Sequence, residues 1–283
     1  MLNAISKTIK WIGQHFLGML FLLIAIAMFV PKVTTDQEGP ENLQEIHLKG
    51  EIVDADEIVK EIEKAKRNPR IKGVLLTVNS PGGGVPPSLE IADAIRELKK
   101  VKPVIAYASG TMASGSYYSS IYANKIIANP GALIGSIGVV VQSFNIEQLM
   151  HTAGIFSQSV QKGRFKTAGT ILREWTAEER QEIDTLADDA YKMFVEDVAE
   201  ARGLDIAKFE DYADAHVFMA PRAKEVGLVD MVGTKRIAKL QIAELAKVSN
   251  PVWKEKSKVE KILEKLSASN WLQSHNGLIA SFK

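Results

Sequence analysis

The sequence has no cysteine among its 283 residues, which excludes a disulfide framework, a thiolate zinc site and a cysteine nucleophile. It leaves the compartment open, because a chain without thiols is indifferent to redox state. An excess of one charge is also missing. Thirty-five basic and 34 acidic residues leave a net charge of +1, so electrostatics give no case for a nucleic-acid partner. Histidine is scarce: the five, at positions 15, 47, 151, 216 and 275, include none in an obvious catalytic setting. No internal repeat is apparent. What is present, 46% hydrophobic and 24% charged residues, is ordinary for a folded protein, and the length allows a substantial core.

The longest apolar run is FLGMLFLLIAIAMFV, from Phe16 to Val30, without a charge. Extended back to Trp11 it reaches about twenty residues, interrupted only by Gln14 and His15, close to what a bilayer span needs. Lys7 and Lys10 precede it and no acid occurs before Asp36, which holds the N-terminus in the cytoplasm. Ala25-Ile26-Ala27 resembles a signal-peptide cleavage site, but the apolar run continues past it, which favours a retained anchor. The expected division is a cytoplasmic tail over 1–10, a membrane anchor over 11–30 and a linker over 31–44. A folded domain over 45–248 and a helical or flexible tail over 249–283 follow. The folded domain then lies on the extracytoplasmic side of the cell membrane.

Within that domain, strand and helix patterns alternate. Ile46–Val53, Gly73–Val78 and Val104–Ala108 read as strands, and residues 55–67 and Pro86–Lys100 as helices. Such alternation predicts an α/β fold with a largely parallel sheet. Further strands are expected at Ile126–Ala128, Ile137–Val141 and Phe156–Val160, and helices at Ile146–Ala153 and Thr234–Val248. A long helix fits Thr176–Arg202, with Thr176 and Glu179 as a capping box and Gly203 as its terminator.

Two small-residue turns carry the chemistry. NSPGGGVPPS follows the second strand, and its backbone N–H groups suit an anion or an oxyanion hole. It lacks the lysine and hydroxyl of a phosphate loop, and a plain strand-to-helix turn is the bland reading. SGTMASGSYYSS repeats the arrangement after the third strand and presents Ser114 at a helix start, either as an ordinary cap or as a nucleophile. If the strands are parallel neighbours, both turns fall at one sheet edge, where open α/β sheets place ligands. A nucleophile needs a base. His151 lies in a helical pattern that suits a packing role. Lys162 and Lys166, around Gly163, serve only where burial lowers an amine pKa from about 10 towards neutrality.

The segments NSPGGGV, GTMASGSYYSS, IGSIGVV, KGRFKT and VFMAPRAKEVGLVDMVG, in that order, resemble the signal peptide peptidase A family. These are membrane-anchored serine peptidases of the Clp protease and crotonase superfamily, and the resemblance covers roughly residues 45–240. It implies a serine–lysine dyad with Ser114 as nucleophile, Lys166 as general base and Ser136 orienting the lysine. Gly83 and Gly115 supply the oxyanion-hole backbone. It implies no cofactor and no metal, hydrophobic peptide substrates such as remnant signal peptides, and a homo-oligomer, an octameric ring that completes each site. A serine after Gly115, where a second glycine is common, is the one departure. A Clp-like histidine triad does not fit, since Val139 and its neighbours occupy the expected stretch. Two other readings remain: a membrane-bound Clp-class protease acting on a stomatin-like partner, and a non-catalytic membrane scaffold.

Overall fold

The computed structural model describes residues 40–254, together with His15, Gly18 and Phe21, which are helical. The chain divides into two units, residues 1–40 and 41–283. Apart from those three positions, the expected anchor lies outside the described residues, as do the first ten residues, positions 31–39 of the linker and the tail beyond 254. Among the described residues, no helix is long and apolar enough to cross a membrane.

The second unit is an α/β fold. In chain order its first elements are β1 (Leu43–Ile52), α1 (Asp56–Arg67), β2 (Gly73–Gly83), α2 (Val85–Lys99), β3 (Val104–Ala113) and the single turn α3 (Gly115–Tyr118). Then come β4 (Lys125–Ala128), β5 (Leu133–Gly135), α4 (Glu147–Thr152), α5 (Ala177–Arg202), β6 (Val217–Met219) and α6 (Ala220–Glu225). The last are β7 (Met231–Val232), α7 (Lys235–Leu245) and β8 (Trp253–Lys254). The sheet runs β6-β5-β3-β2-β1-β8, with β4 alongside the first half of β3 and β7 beyond β4. Among the described residues every pairing is parallel except β5 with β6.

Burial on both faces explains why GVLLTV reads as a continuous apolar run rather than an alternating one. Val74, Leu76 and Val78 face a large core shared with Ile62 of α1 and Ile91 and Ile95 of α2. Leu75 points the other way, into a smaller core with Ile105, Tyr107 and Ile242 of α7. In α1, Asp56 and Glu57 in the first turn and Lys64, Lys66 and Arg67 in the last complement the helix dipole. The long helix α5 begins and ends as its residues require. Thr176 and Glu179 form the reciprocal capping box, and Gly203 closes the helix at φ 64°.

Three expectations are corrected. β1 starts at Leu43, inside the expected linker, where it pairs with Gly73 of β2. Ile137–Val141 is not a strand. Ser136 N–H donates to His216 O (2.7 Å) and Ala215 N–H to Ile137 O (2.9 Å), so this stretch is tied to a loop in which Asp214 and Ala215 have positive φ. Such a loop offers no regular ladder. Phe156–Val160 is not a strand either: its side chains are exposed. High β propensity in a short run makes no strand without a paired neighbour.

Candidate active site

β2 and β3 continue beyond the ends of their apolar runs. After a register shift between Val78 and Ser80, Ser80 pairs with Met112, which carries both strands out to the two glycine-containing turns. Both turns thus sit at the C-terminal edge of neighbouring parallel strands, the ligand-binding edge of such sheets.

Ser114 occupies the junction between β3 and α3 at φ 51°, ψ −129°. A non-glycine residue at positive φ costs energy and is held only where its surroundings over-determine it. Here they do. Ser114 N–H donates to Gly135 O of β5 (2.8 Å), and Ser114 O accepts from Tyr118 N–H (3.0 Å). Beneath the turn, Ser116 is fully buried; its hydroxyl donates to Ser80 O (2.7 Å) and accepts from Ala113 N–H (2.9 Å). Ser119 Oγ lies 2.9 Å from Gly115 O and 3.2 Å from Ser88 O, and Ser88 Oγ donates to Gly84 O (2.7 Å). Buried hydroxyls therefore bolt the serine turn to the glycine turn, and each is satisfied by backbone.

Neither turn has room for a side chain at these glycines. A β-carbon on Gly83 would fall 2.2 Å from Ile52 O, and one on Gly115 would fall 2.2 Å from Ser88 Oγ and 3.3 Å from Gly83 N. Ser114, Gly115 and Gly83 line one cavity of about 120 Å³. Its remaining wall is mostly apolar, built from Val85 and Leu89 of α2, Val139 and Val140, and Met193 and Phe194 of α5. Gly115 is the first residue of α3, and an amide there has no partner within its own helix. The arrangement can present a hydroxyl and backbone donors to a carbonyl whose side chain occupies an apolar recess.

The other expected site residues lie elsewhere. Ser136, at φ 49°, immediately follows the Gly135 carbonyl that anchors Ser114, but it does not line the cavity. Lys166 is exposed in the irregular segment 161–170, does not line the cavity, and makes no hydrogen bond to Ser114 among the described residues. Lys162 is exposed as well. His151 is exposed on α4, edge-on to Phe156 at 5.3 Å. The lysine-bearing segment is nevertheless fastened to α5. Glu179 accepts from Arg173 through both oxygens (2.7 and 2.8 Å), and Thr167, next to Lys166, lies 3.2 Å from the same guanidinium. The Arg173 guanidinium, with the Thr176 amide next, holds the Glu179 carboxyl down to about 2.

Sequence reasoning missed the α5 wall and Tyr118. Met193 and Phe194 are some eighty residues beyond Ser114 in the chain, and nothing local to them marks a cavity wall. Val85 did carry a signal, as the first apolar residue after the glycine triplet.

The class of protein follows from comparison with known ones. The model of peptidase family S49 matches residues 96–249, more than half of the chain, and the Clp protease model matches residues 42–125. The chain belongs to peptidase family S49, in the signal peptide peptidase A group that its motifs resemble, and its fold is the Clp protease type. A candidate protease of Methanocaldococcus jannaschii is 35% identical over 243 residues, 81% of this chain and 78% of that protein. A candidate signal peptide peptidase of Enterococcus faecium is 34% identical over 61% of this chain and 51% of its own. The chloroplastic serine protease SPPA of Arabidopsis thaliana is 31% identical over 65% of this chain but only 27% of its own. The chain thus spans about half and a quarter of the length of these last two relatives.

Proposed function

We propose that this chain is a membrane-anchored serine endopeptidase that cleaves hydrophobic peptides, remnant signal peptides being the substrate class that suits it. The observation that carries this reading is Ser114, held at positive φ at the mouth of an apolar cavity walled by two glycine turns. Ser114 Oγ attacks the peptide carbonyl carbon while its proton passes to the neutral amine of Lys166. The oxyanion faces the Gly83 and Gly115 N–H groups. The tetrahedral adduct collapses, the leaving amine takes the proton from the lysine ammonium, and water then hydrolyses the Ser114 ester by the same route. Ser136 orients the amine.

Lys166 reaches Ser114 of a neighbouring copy in this scheme. A lysine base has to be neutral, which takes apolar surroundings, and within one chain Lys166 faces solvent. The segment around it carries Phe144, Leu149, Ile155, Phe156 and Val160, all exposed, Val160 by 97%. Exposed large apolar side chains concentrated in one segment suit an interaction site, and their burial against a second copy would dry the amine. A segment over 11–30 anchors the assembly in the membrane, beside its apolar substrates and outside the cytoplasm.

The test is complementation. Ser114→Ala and Lys166→Ala proteins, each folded and each inactive on a fluorogenic peptide, are unfolded and refolded together. Random mixing in a ring restores roughly a quarter of wild-type activity when serine and lysine come from adjacent copies. Substantial activity in Lys166→Ala alone would reject the dyad.

A further inference from the structure

Leu89, Tyr118 and Met193 line the cavity at Ser114 and also line a second cavity on their other side. The second is the larger, about 310 Å³ against about 120 Å³, and differs in character. Glu90, Asp93 and Asp197 edge it, with Arg96 the one cation among the described residues. Arg96 is already paired with Asp93 and lies over the Tyr122 ring at 5.2 Å. The outer cavity is therefore acidic on balance, whereas the inner one is apolar. A partition one side chain thick separates them.

Tyr118 is the fixed part of that partition. Its ring is buried and packs edge-on against Phe194 at 5.0 Å, and its hydroxyl donates to the Asp197 carboxylate. Leu89 and Met193 are flexible chains that can yield to a ligand, but a ring packed on one side and hydrogen-bonded at its tip cannot swing aside without losing both contacts. It also starts from the turn that holds Ser114, since Tyr118 N–H donates to Ser114 O. The depth available to a bound side chain is thus set by the element that presents the nucleophile.

We propose that Tyr118 is the specificity-determining wall of the Ser114 cavity. It confines the substrate side chain to short aliphatic types, and it closes off an acidic cavity that would otherwise receive the cationic tip of a long one. This rests on the peptidase reading above. Tyr118 touches the substrate side chain in this scheme and takes no part in proton transfer.

The experiment compares fluorogenic peptides that differ only in the residue donating the attacked carbonyl: leucine, methionine, phenylalanine and lysine. Wild type prefers leucine to lysine. In Tyr118→Ala the lysine-to-leucine ratio of kcat/KM rises about tenfold or more, the scale on which pocket depth discriminates side chains. Tyr118→Phe, which keeps the ring, shifts that ratio far less. Tyr118→Ala also gains on phenylalanine relative to leucine, and when it is combined with Asp197→Asn the gain for lysine falls while that for phenylalanine persists. Tyr118→Leu, which keeps apolar bulk against Phe194, replaces the alanine variant should that one fail to fold. A folded, active Tyr118→Ala or Tyr118→Leu protein with the wild-type ratio overturns this proposal alone. A wild type that hydrolyses none of the peptides overturns the peptidase reading and this proposal with it.

Discussion

Gly82 lies so close under Ser114 that a β-carbon on it would stand 2.8 Å from the Ser114 Cβ and 2.7 Å from the Gly115 amide nitrogen. Gly82 also sits at φ 102°, where L side chains are strained. The glycine turn is thus the floor on which the serine turn rests. Gly82→Ala has to displace Ser114 or the neighbouring amide. Expected are a loss of about 1–3 kcal/mol in stability and, for a shift of the Ser114 hydroxyl approaching 1 Å, about a hundredfold in kcat/KM if that serine is the proposed nucleophile. Chemical denaturation and peptide hydrolysis measure the two separately. A variant with wild-type rate would show that the close approach does not set the position of Ser114.

A second contact fixes the far end of α5. Arg202, its side chain 8% exposed, donates to both oxygens of Asp230 (2.9 and 3.1 Å) and to Gly227 O, while Asp230 also accepts from Ile126 N–H of β4. Asp230→Ala leaves the guanidinium without its counter-charge. A fully buried pair broken in this way costs about 3–5 kcal/mol. Asp230 is 37% exposed, so water screens part of this and about 2 kcal/mol is expected from denaturant unfolding. Peptide selectivity should not change, because neither residue lines the Ser114 cavity.

The sequence carried the sheet and both turns because their signals are local. Apolar runs such as GVLLTV need no partner to be recognised, and glycine triplets after them mark positions where only backbone fits. The capping residues of α5 are equally local. Ile137–Val141 and Phe156–Val160 misled for the opposite reason: β-branched and aromatic residues favour strands only where a neighbouring strand completes the hydrogen bonds, and that depends on topology. The α5 wall and the Tyr118–Asp197 contact, 79 positions apart, leave no trace in either segment. Family motifs pointed to Lys166, but motifs cannot say which copy of a chain a lysine serves.

Acid exposes the clamp beside Lys166. The Glu179 carboxyl titrates at about 2 in the folded chain, below its ordinary value of 4.5, chiefly because Arg173 donates to it. A depressed carboxyl contributes stability that is fully present above about 4.5 and is lost as pH falls towards 2. Glu179→Gln removes that contribution. The variant should melt at a lower temperature than wild type at pH 7, and the gap should close as pH approaches 2. A gap that stays constant down to pH 2 would mean that the ion pair does not stabilise the fold. Activity should fall further than stability at pH 7, since Thr167, the neighbour of Lys166, depends on the same guanidinium.

The exposed apolar segment gives the last prediction. Phe156 is 68% exposed and Val160 97%, so replacing both by aspartate removes no core contact and should leave the melting temperature of the isolated chain close to wild type. Two carboxylates placed in an interface between copies would have to be desolvated without partners, which assembly cannot sustain. Light scattering on the double variant should therefore report smaller particles than wild type, and peptide hydrolysis should fall with particle size if, as proposed, each Ser114 depends on the lysine of its neighbour. Full activity in a monomeric double variant would place the base within the same chain. Full activity in an undiminished assembly would move the interface elsewhere and leave Lys166 without the apolar cover that keeps an amine able to accept a proton.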